Sequence, residues 1–486
     1  MPTVASGLDS KNDATEIFTR TAIGSHNMRM ANFDRRSLVI KKVKSVAITF
    51  AMCAVFFTGA RAQDPAVTIF ENVRIFDGKT PTLSGASYVL VRHNIIERIT
   101  NTPIPVSNQA DTRVIAGGGR VLMPGLSDMH WHAMLVRPTP NQIISNDIGY
   151  TTLLAGAEAT ATLMRGFTTV RDMGGPVFAL KRAIDENIIS GPRIYPSGAI
   201  ITVTGGHGDF RELWELPRTP KAMSRVEHLG GSVIANSPDE VRKRTREQLM
   251  QGASQIKLTA GGGVASPLTP LDITTFTEAE LQAAVEAAAG WGAYVATHAY
   301  TPNAIQRSIM AGAKVIEHGH LMDEATAKLM AQKNIWLSTQ PFVDLGGAAM
   351  LSPTQQEQMR RLIQGTNSMY EYVKRFKIKT GFGTDILFSK ALAEHQGQGI
   401  VDLTRWFTPA EALIMATSAN GELLALSGAR NPYPGKLGVV EEGALADLLL
   451  VDGDPLQDIS IVADPANKFL VIMKDGVIYK DMTPKV

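Results

Sequence analysis

The chain has 486 residues, 44% of them apolar and 19% charged, with a formal net charge of +2. That composition describes an ordinary soluble globular protein, with length for one large domain or two to three smaller ones. The near-neutral charge gives no case for a nucleic-acid partner.

The N-terminal stretch Lys41–Ala62, KKVKSVAITFAMCAVFFTGARA, sets three lysines before an apolar core, Val46–Phe57, and closes on ARA. These are the basic region, apolar region and small-residue cleavage site of a secretory signal. The apolar core is short for a bilayer span, so no membrane attachment is expected after cleavage. We expect cleavage after Ala62, a start at Met28 or Met30, and a periplasmic or secreted product. Residues 1–62 hold nine Lys/Arg and four Asp/Glu, which leaves 39 against 42 in the remainder. The single cysteine, Cys53, lies in the leader, so the mature chain has neither disulfides nor a catalytic thiol.

Residues 63–122 read as short strands separated by Gly, Pro and Asn turns: AVTIFENVRIFDG, YVLVRHNIIERIT and TRVIAGGGRVLM. Residues 429–486 repeat that texture in GKLGVVEEGALADLLLVDGD and FLVIMKDGVIYKD. Neither patch is long enough to bury itself, so a small β-sandwich built from both ends of the mature chain is expected. Between them, over 123–428, eight short apolar strands alternate with helices such as Glu278–Trp291 and Thr301–Ala311. The expected fold is α/β, a (β/α)8 TIM-like barrel. An open doubly wound sheet is the competitor, and no G-x-G-x-x-G follows the first strand to support it. Phe210–Asn236 is too long for an ordinary connection. It reads equally as a lid with Trp214 as an apolar wall or as a surface excursion.

In GLSDMHWHAM the first strand ends in His130 and His132, which converge on one face at i and i+2. The fourth strand carries Lys257, the fifth ends in His298, the sixth in His318 and the eighth in Asp385. Side chains at strand C-termini point into a barrel mouth. Each has a bland reading: a satisfied core histidine, a strand-end cap, or, for His320, a neighbour of no consequence. Lys257 resists one, because an unpaired ammonium in an apolar strand costs several kcal/mol. Imidazoles and carboxylates suit zinc-like divalent ions. Lys257 joins such a set only as an anionic oxygen ligand, which carbamylation by CO2 would make it.

The pattern resembles the amidohydrolase superfamily with binuclear metal centres, over essentially the whole mature chain. The resemblance implies two divalent ions, Zn2+ by preference, with a CO2-derived carbamate on Lys257 bridging them. It places His130, His132 and Asp385 on the more buried ion and His298 and His318 on the outer one. Asp385 would also be the general acid/base, taking a proton from a bridging hydroxide's parent water and passing it to the leaving group. The stretches SGAIITVTGGHGD, QIKLTAGGGVASP, ATHAYTPNAIQRSIMAGAKVIEHG and GFGTD are similar to the prolidase- and carboxypeptidase-like branch that includes ochratoxin-hydrolysing enzymes. The implied substrate is a small molecule with an amide next to a free carboxylate, a dipeptide or N-acyl amino acid. His207 and Tyr300 are the candidate carboxylate binders, and Arg307 reads as a solvated helix face. The alternatives are a deaminase or imidazolonepropionase-type ring hydrolase, which lack the strand-four lysine, and a lactonase or phosphotriesterase. A non-catalytic binding protein would usually have lost ligands. Oligomeric state is open, with a homo-oligomer allowed.

Overall fold

Residue Asn72, at φ +51, sits at a bulge that decides how the first strand is buried. In β1 (Val67–Ile75), Val67 and Ile69 feed one small apolar cluster. Phe70, Val73 and Ile75 feed another, because the extra residue switches which parity faces inward. β2 (Ser87–Arg92), β3 (Ile95–Thr100), β4 (Thr112–Ala116) and β5 (Val121–Pro124) follow, with β1 antiparallel to β2 and parallel to β4 and β5. In a computed structural model the chain is described over residues 66–106, 111–216, 222–266, 268–343 and 351–484. The leader expected at Lys41–Ala62 lies outside them. Among the described residues no helix is long and apolar enough to cross a membrane.

Three strands form one parallel sheet: β6 (Leu126–Trp131), β7 (Phe167–Asp172) and β8 (Arg193–Pro196). Seven more form a second, in the order β10-β9-β11-β12-β13-β14-β15. They are β9 (Ile200–Thr202), β10 (Ser232–Ile234), β11 (Gln255–Thr259), β12 (Tyr294–Ala299), β13 (Val315–His318), β14 (Trp336–Thr339) and β15 (Thr380–Phe382). The two sheets meet at both flanks. Asp385 N–H donates to His130 O at 2.8 Å, and Ser254 N–H donates to Pro196 O at 2.8 Å. Every residue of β6, β7, β11 and β12 is buried. That accounts for continuous apolar runs in place of alternation, as in parallel sheets covered on both faces.

The intervening helices start where the sequence supplies caps. Thr277 accepts from Glu280 N–H while the Glu280 carboxylate accepts from Thr277 N–H, which sets the start of Glu278–Gly290. The expected helix at Thr301 begins one residue later, at Pro302. Thr301 is extended (φ −93°, ψ 154°) and serves as the N-cap, with proline in the first turn. The 210–236 segment holds a short helix, Arg225–Leu229, and β10, which pairs with β9. The edge strand was not expected from sequence.

β16 (Leu448–Val451), β17 (Phe469–Lys474) and β18 (Val477–Asp481) return to the N-terminal strands. β16 lies antiparallel between β5 and β17, so both ends of the chain share one eight-stranded sheet. Its core combines Phe70, Val89, Leu122, Leu448, Leu450 and Val471. The seam to β8 is charged. Arg193 donates to both oxygens of Asp447 at 3.1 Å and to Asp475 at 2.7 Å. Gly166, at φ +86, packs against the ring of Phe469, where a methyl group would overlap it.

Candidate metal centre

The C-terminal end of β6 delivers two imidazoles to one place. The Nδ1 of His130 lies 2.9 Å from Glu317 Oε2, and that of His132 lies 3.1 Å from Gly174 O. Both anchors turn Nε2 inward, where the two Nε2 atoms lie 3.4 and 3.3 Å from Asp385 Oδ1. One potential ligand atom from each of these three residues falls within 4.8 Å of the others. Trp131, of opposite parity, joins an apolar cluster with Ala133 and Met134.

Lys257, in the middle of β11, is 3% exposed, and its Nζ is 3.1 Å from His130 Nε2. Burial, opposed by Glu317 and Asp385, pushes its ammonium down to about 8. His298 Nε2 is 2.8 Å from Gly262 O, which leaves Nδ1 as the ring nitrogen without that anchor. His318 presents Nδ1 to the Gln340 amide, 3.3 Å from Oε1, and its buried Nε2 has no partner among the described residues. The His298 and His318 rings are 4.4 Å apart, and those of His318 and His130 4.8 Å. Burial above all holds His130, His298 and His318 well below the usual histidine range. Their rings are therefore neutral, with lone pairs available.

The two carboxylate-binding candidates adjoin this cluster. His207 stacks on His298 at 4.3 Å, and its ring rests on Gly263, where any side chain would overlap it. Burial and then the Lys257 charge push His207 down to about 4. Tyr300 lies 4.9 Å from the rings of both His298 and His318. Burial and the Asp385 charge raise its hydroxyl well above the usual value, so it remains a donor. Seven of the eight sequence candidates, all but His318, line a cavity of about 460 Å3. Arg307 does not. Its guanidinium is half-buried and donates to Phe276 O at 2.8 Å. His320 is buried with Nε2 2.9 Å from Gln340 O. Trp214 is 79% exposed and forms no wall of the cavity, whereas Phe210 does.

Several residues of the site were not picked out in the sequence. Glu317, fully buried, bridges His130 and the Arg171 guanidinium, which donates to it at 2.6 Å. Arg171 in TTVRDMG and Glu317 in VIEHG are both charges inside apolar strands, the same signal that marked Lys257. Glu317 shares the parity of Val315, which packs in the interior, and it is His318, the next residue, that leaves the strand in a left-handed conformation, φ +78°. Gln340 Nε2 also approaches Asp385 Oδ2, at 3.4 Å. Asp385 itself is left-handed, φ +54°. Two buried carboxylates are pushed up by desolvation, Asp128 to about 6 and Asp172 to about 7.

Parallel strands that bring histidines, a buried lysine and an aspartate to one cavity define a hydrolase of metal-dependent type, and the comparisons agree. The amidohydrolase family model matches residues 121–480. The chain belongs to that family. Within it, the chain is similar to ochratoxinase of Aspergillus niger, 30% identical over 386 residues, covering 74% of this chain and 76% of that one. A crystal structure of an amidohydrolase is similar at 34% identity and TM-score 0.77, covering 85% and 99% of the two chains. A prolidase crystallised with N-methylphosphonate-L-proline matches at 30% identity and TM-score 0.78, covering 85% and 100%. These relatives place the chain in the branch that holds prolidases and ochratoxinase.

Proposed function

We propose that this protein is an exported, metal-dependent amidase that cleaves an amide bond next to a free carboxylate, in dipeptides or N-acyl amino acids including ochratoxin-like molecules. The carrying observation is the cup formed by His130, His132 and Asp385, with Lys257 Nζ 3.1 Å from His130 Nε2 and the His318 and His298 rings next in contact. The parallel strands are read as a closed (β/α)8 barrel beside a β-sandwich made from both chain ends. The bonds at both flanks and the shared terminal sheet support that reading.

The donor set fits two divalent ions, Zn2+ by chemistry. His130 and His132 face Nε2 inward, and His318 keeps a buried Nε2 that lacks a partner among the described residues. His130, His132 and Asp385 would hold one ion, His298 and His318 the other. Lys257, desolvated and easily deprotonated, would react as a free amine with CO2, releasing a proton and becoming an anionic oxygen donor for the ions. The chemistry such ions would supply is Lewis acidity toward the scissile carbonyl and a water. Asp385 would hold the proton of the attacking water and pass it to the departing amine nitrogen. The Gln340 amide holds its second oxygen. Tyr300 and His207 receive the substrate carboxylate. Among the described lining residues there is no arginine for that task.

The test is a screen of purified mature protein against dipeptides, N-acyl amino acids and their ester-capped forms, with metal content measured alongside. Cleavage of the free acids with loss on ester capping is expected. Equal cleavage of lactones or phosphotriesters, or release of ammonia from a ring amine, would transfer the chain to another reaction class.

A further inference from the structure

Phe388 has a left-handed backbone, φ +56°, which is costly for a bulky side chain. The conformation is fixed from both sides. Its N–H donates to Leu135 O at 2.9 Å, and the next residue, Ser389, caps the helix Lys390–Glu394 by accepting from Leu392 N–H. The turn itself would be met more cheaply by glycine or asparagine. The retained ring is half-buried, packs beside Leu135, and lines the cavity together with Ile386, Leu387 and Leu392. A strained residue held by its surroundings at a site is the kind that function maintains.

We propose that Phe388 determines specificity by forming the wall for the acyl group, and that it selects acyl groups that are aromatic or otherwise bulky and apolar. This rests on the amidase reading above. There the leaving amino acid's carboxylate lies at His207 and Tyr300, beside His298. The acyl group extends to the other side of the scissile carbonyl, toward the segments that follow His132 and Asp385. Those segments present Leu135, Ile386, Leu387 and Phe388, all apolar.

The experiment compares wild type, Phe388→Leu, Phe388→Ala and Phe388→Gly. The readouts are the ratio of kcat/KM for N-(2-naphthoyl)-phenylalanine over N-acetyl-phenylalanine, the ratio of calorimetric affinities for 2-naphthoate over acetate, and Tm. Both ratios are expected to fall by about 10-fold or more in the alanine and glycine variants and to be largely kept in leucine. Phe388→Gly is expected to melt above Phe388→Ala, since only glycine removes the left-handed penalty. Ratios unchanged in both small variants, or an alanine variant that melts at or above the glycine one, would overturn the proposal. If the wild type cleaves neither substrate, the amidase reading fails by itself. The affinity ratios still decide the role of Phe388.

Discussion

Replacing Arg193 by methionine tests whether the seam between β8 and the terminal sheet is held by charge. The guanidinium side chain is 6% exposed, that of Asp447 3%, and that of Asp475 43%. Burial works against the charge on Arg193, but the two carboxylates outweigh it and the net shift is upward. Arg193→Met keeps the stem and removes the guanidinium from the Asp447 carboxylate, whose hydrogen bonds among the described residues then reduce to the Asp475 N–H at 2.7 Å, with the Lys474 charge nearby. Breaking a buried pair from one side costs about 3–5 kcal/mol. Unfolding entropy of about 2.1 cal/mol/K per residue gives this chain's folded unit a total on the order of 0.9 kcal/mol/K. Tm should therefore fall by about 3–6 °C, read by calorimetry or circular dichroism. Adding Asp447→Asn should restore part of the loss, because the uncompensated charge is gone. Arg193 opens β8 at the strand end away from the ligands, so turnover at room temperature should be unchanged. A drop in Tm under 1 °C, or a double variant no better than the single, would refute the reasoning.

Three further outcomes are expected. Glu317→Gln removes the carboxylate that orients His130 and leaves Arg171 buried without a counter-charge. Metal affinity by chelator competition should weaken by about 10–100-fold, with a stability loss of about 3–5 kcal/mol. Gly263→Ala should displace the His207 ring and raise KM for carboxylate-bearing substrates by about 10-fold, the scale of one hydrogen bond to a charged group, with a smaller effect on kcat. Asp209 pairs with Arg211 at 2.6 Å in the loop that follows His207, and that pairing, though opposed by burial, holds its carboxyl below the ordinary 3.8. A depressed folded-state value contributes stability above 3.8 that is lost as pH falls through it. The Tm gap between wild type and Asp209→Asn should therefore close on acidification below pH 3.8. A gap that stayed constant would sink that assignment.

Much of the architecture was legible because parallel strands buried on both faces leave unbroken apolar runs, and any charge inside one stands out. Lys257 was visible for that reason, and Arg171 and Glu317 carried the same mark. Glu317 was passed over because strict alternation gives one inward face to His318 alone. Only the left-handed excursion at His318 lets two successive residues both point inward, and no sequence period encodes it. Phe210 and Trp214 show a second limit. Four positions apart in one insert and equally apolar, one lines the cavity and the other faces solvent, because loop geometry sets their directions. The helix starts are readable to within a residue at Thr277, whose side chain caps the helix, and at Thr301, where Pro302 sets the first turn.

The ligands come from strands up to about 250 residues apart in the chain, so something other than proximity must place them before any ion arrives. Asp128 is built for this. Its Oδ1 accepts the N–H groups of His130 and Thr384, each at 3.0 Å, and its Oδ2 accepts Thr384 Oγ1 at 2.6 Å and Gln396 Nε2 at 2.9 Å. One carboxylate thus clips the end of β6 to the residue before Asp385, and Asp385 N–H closes the same junction on His130 O. Left-handed backbone at Asp385 costs about 1–2 kcal/mol, whereas each hydrogen bond to a charged acceptor returns about 1.5–3 kcal/mol. Burial opposes those bonds and raises the Asp128 carboxyl to about 6, so what the clip supplies is position. The cup of His130, His132 and Asp385 is then a property of the folded chain, and the proposed ion would enter a site whose geometry the protein has already set.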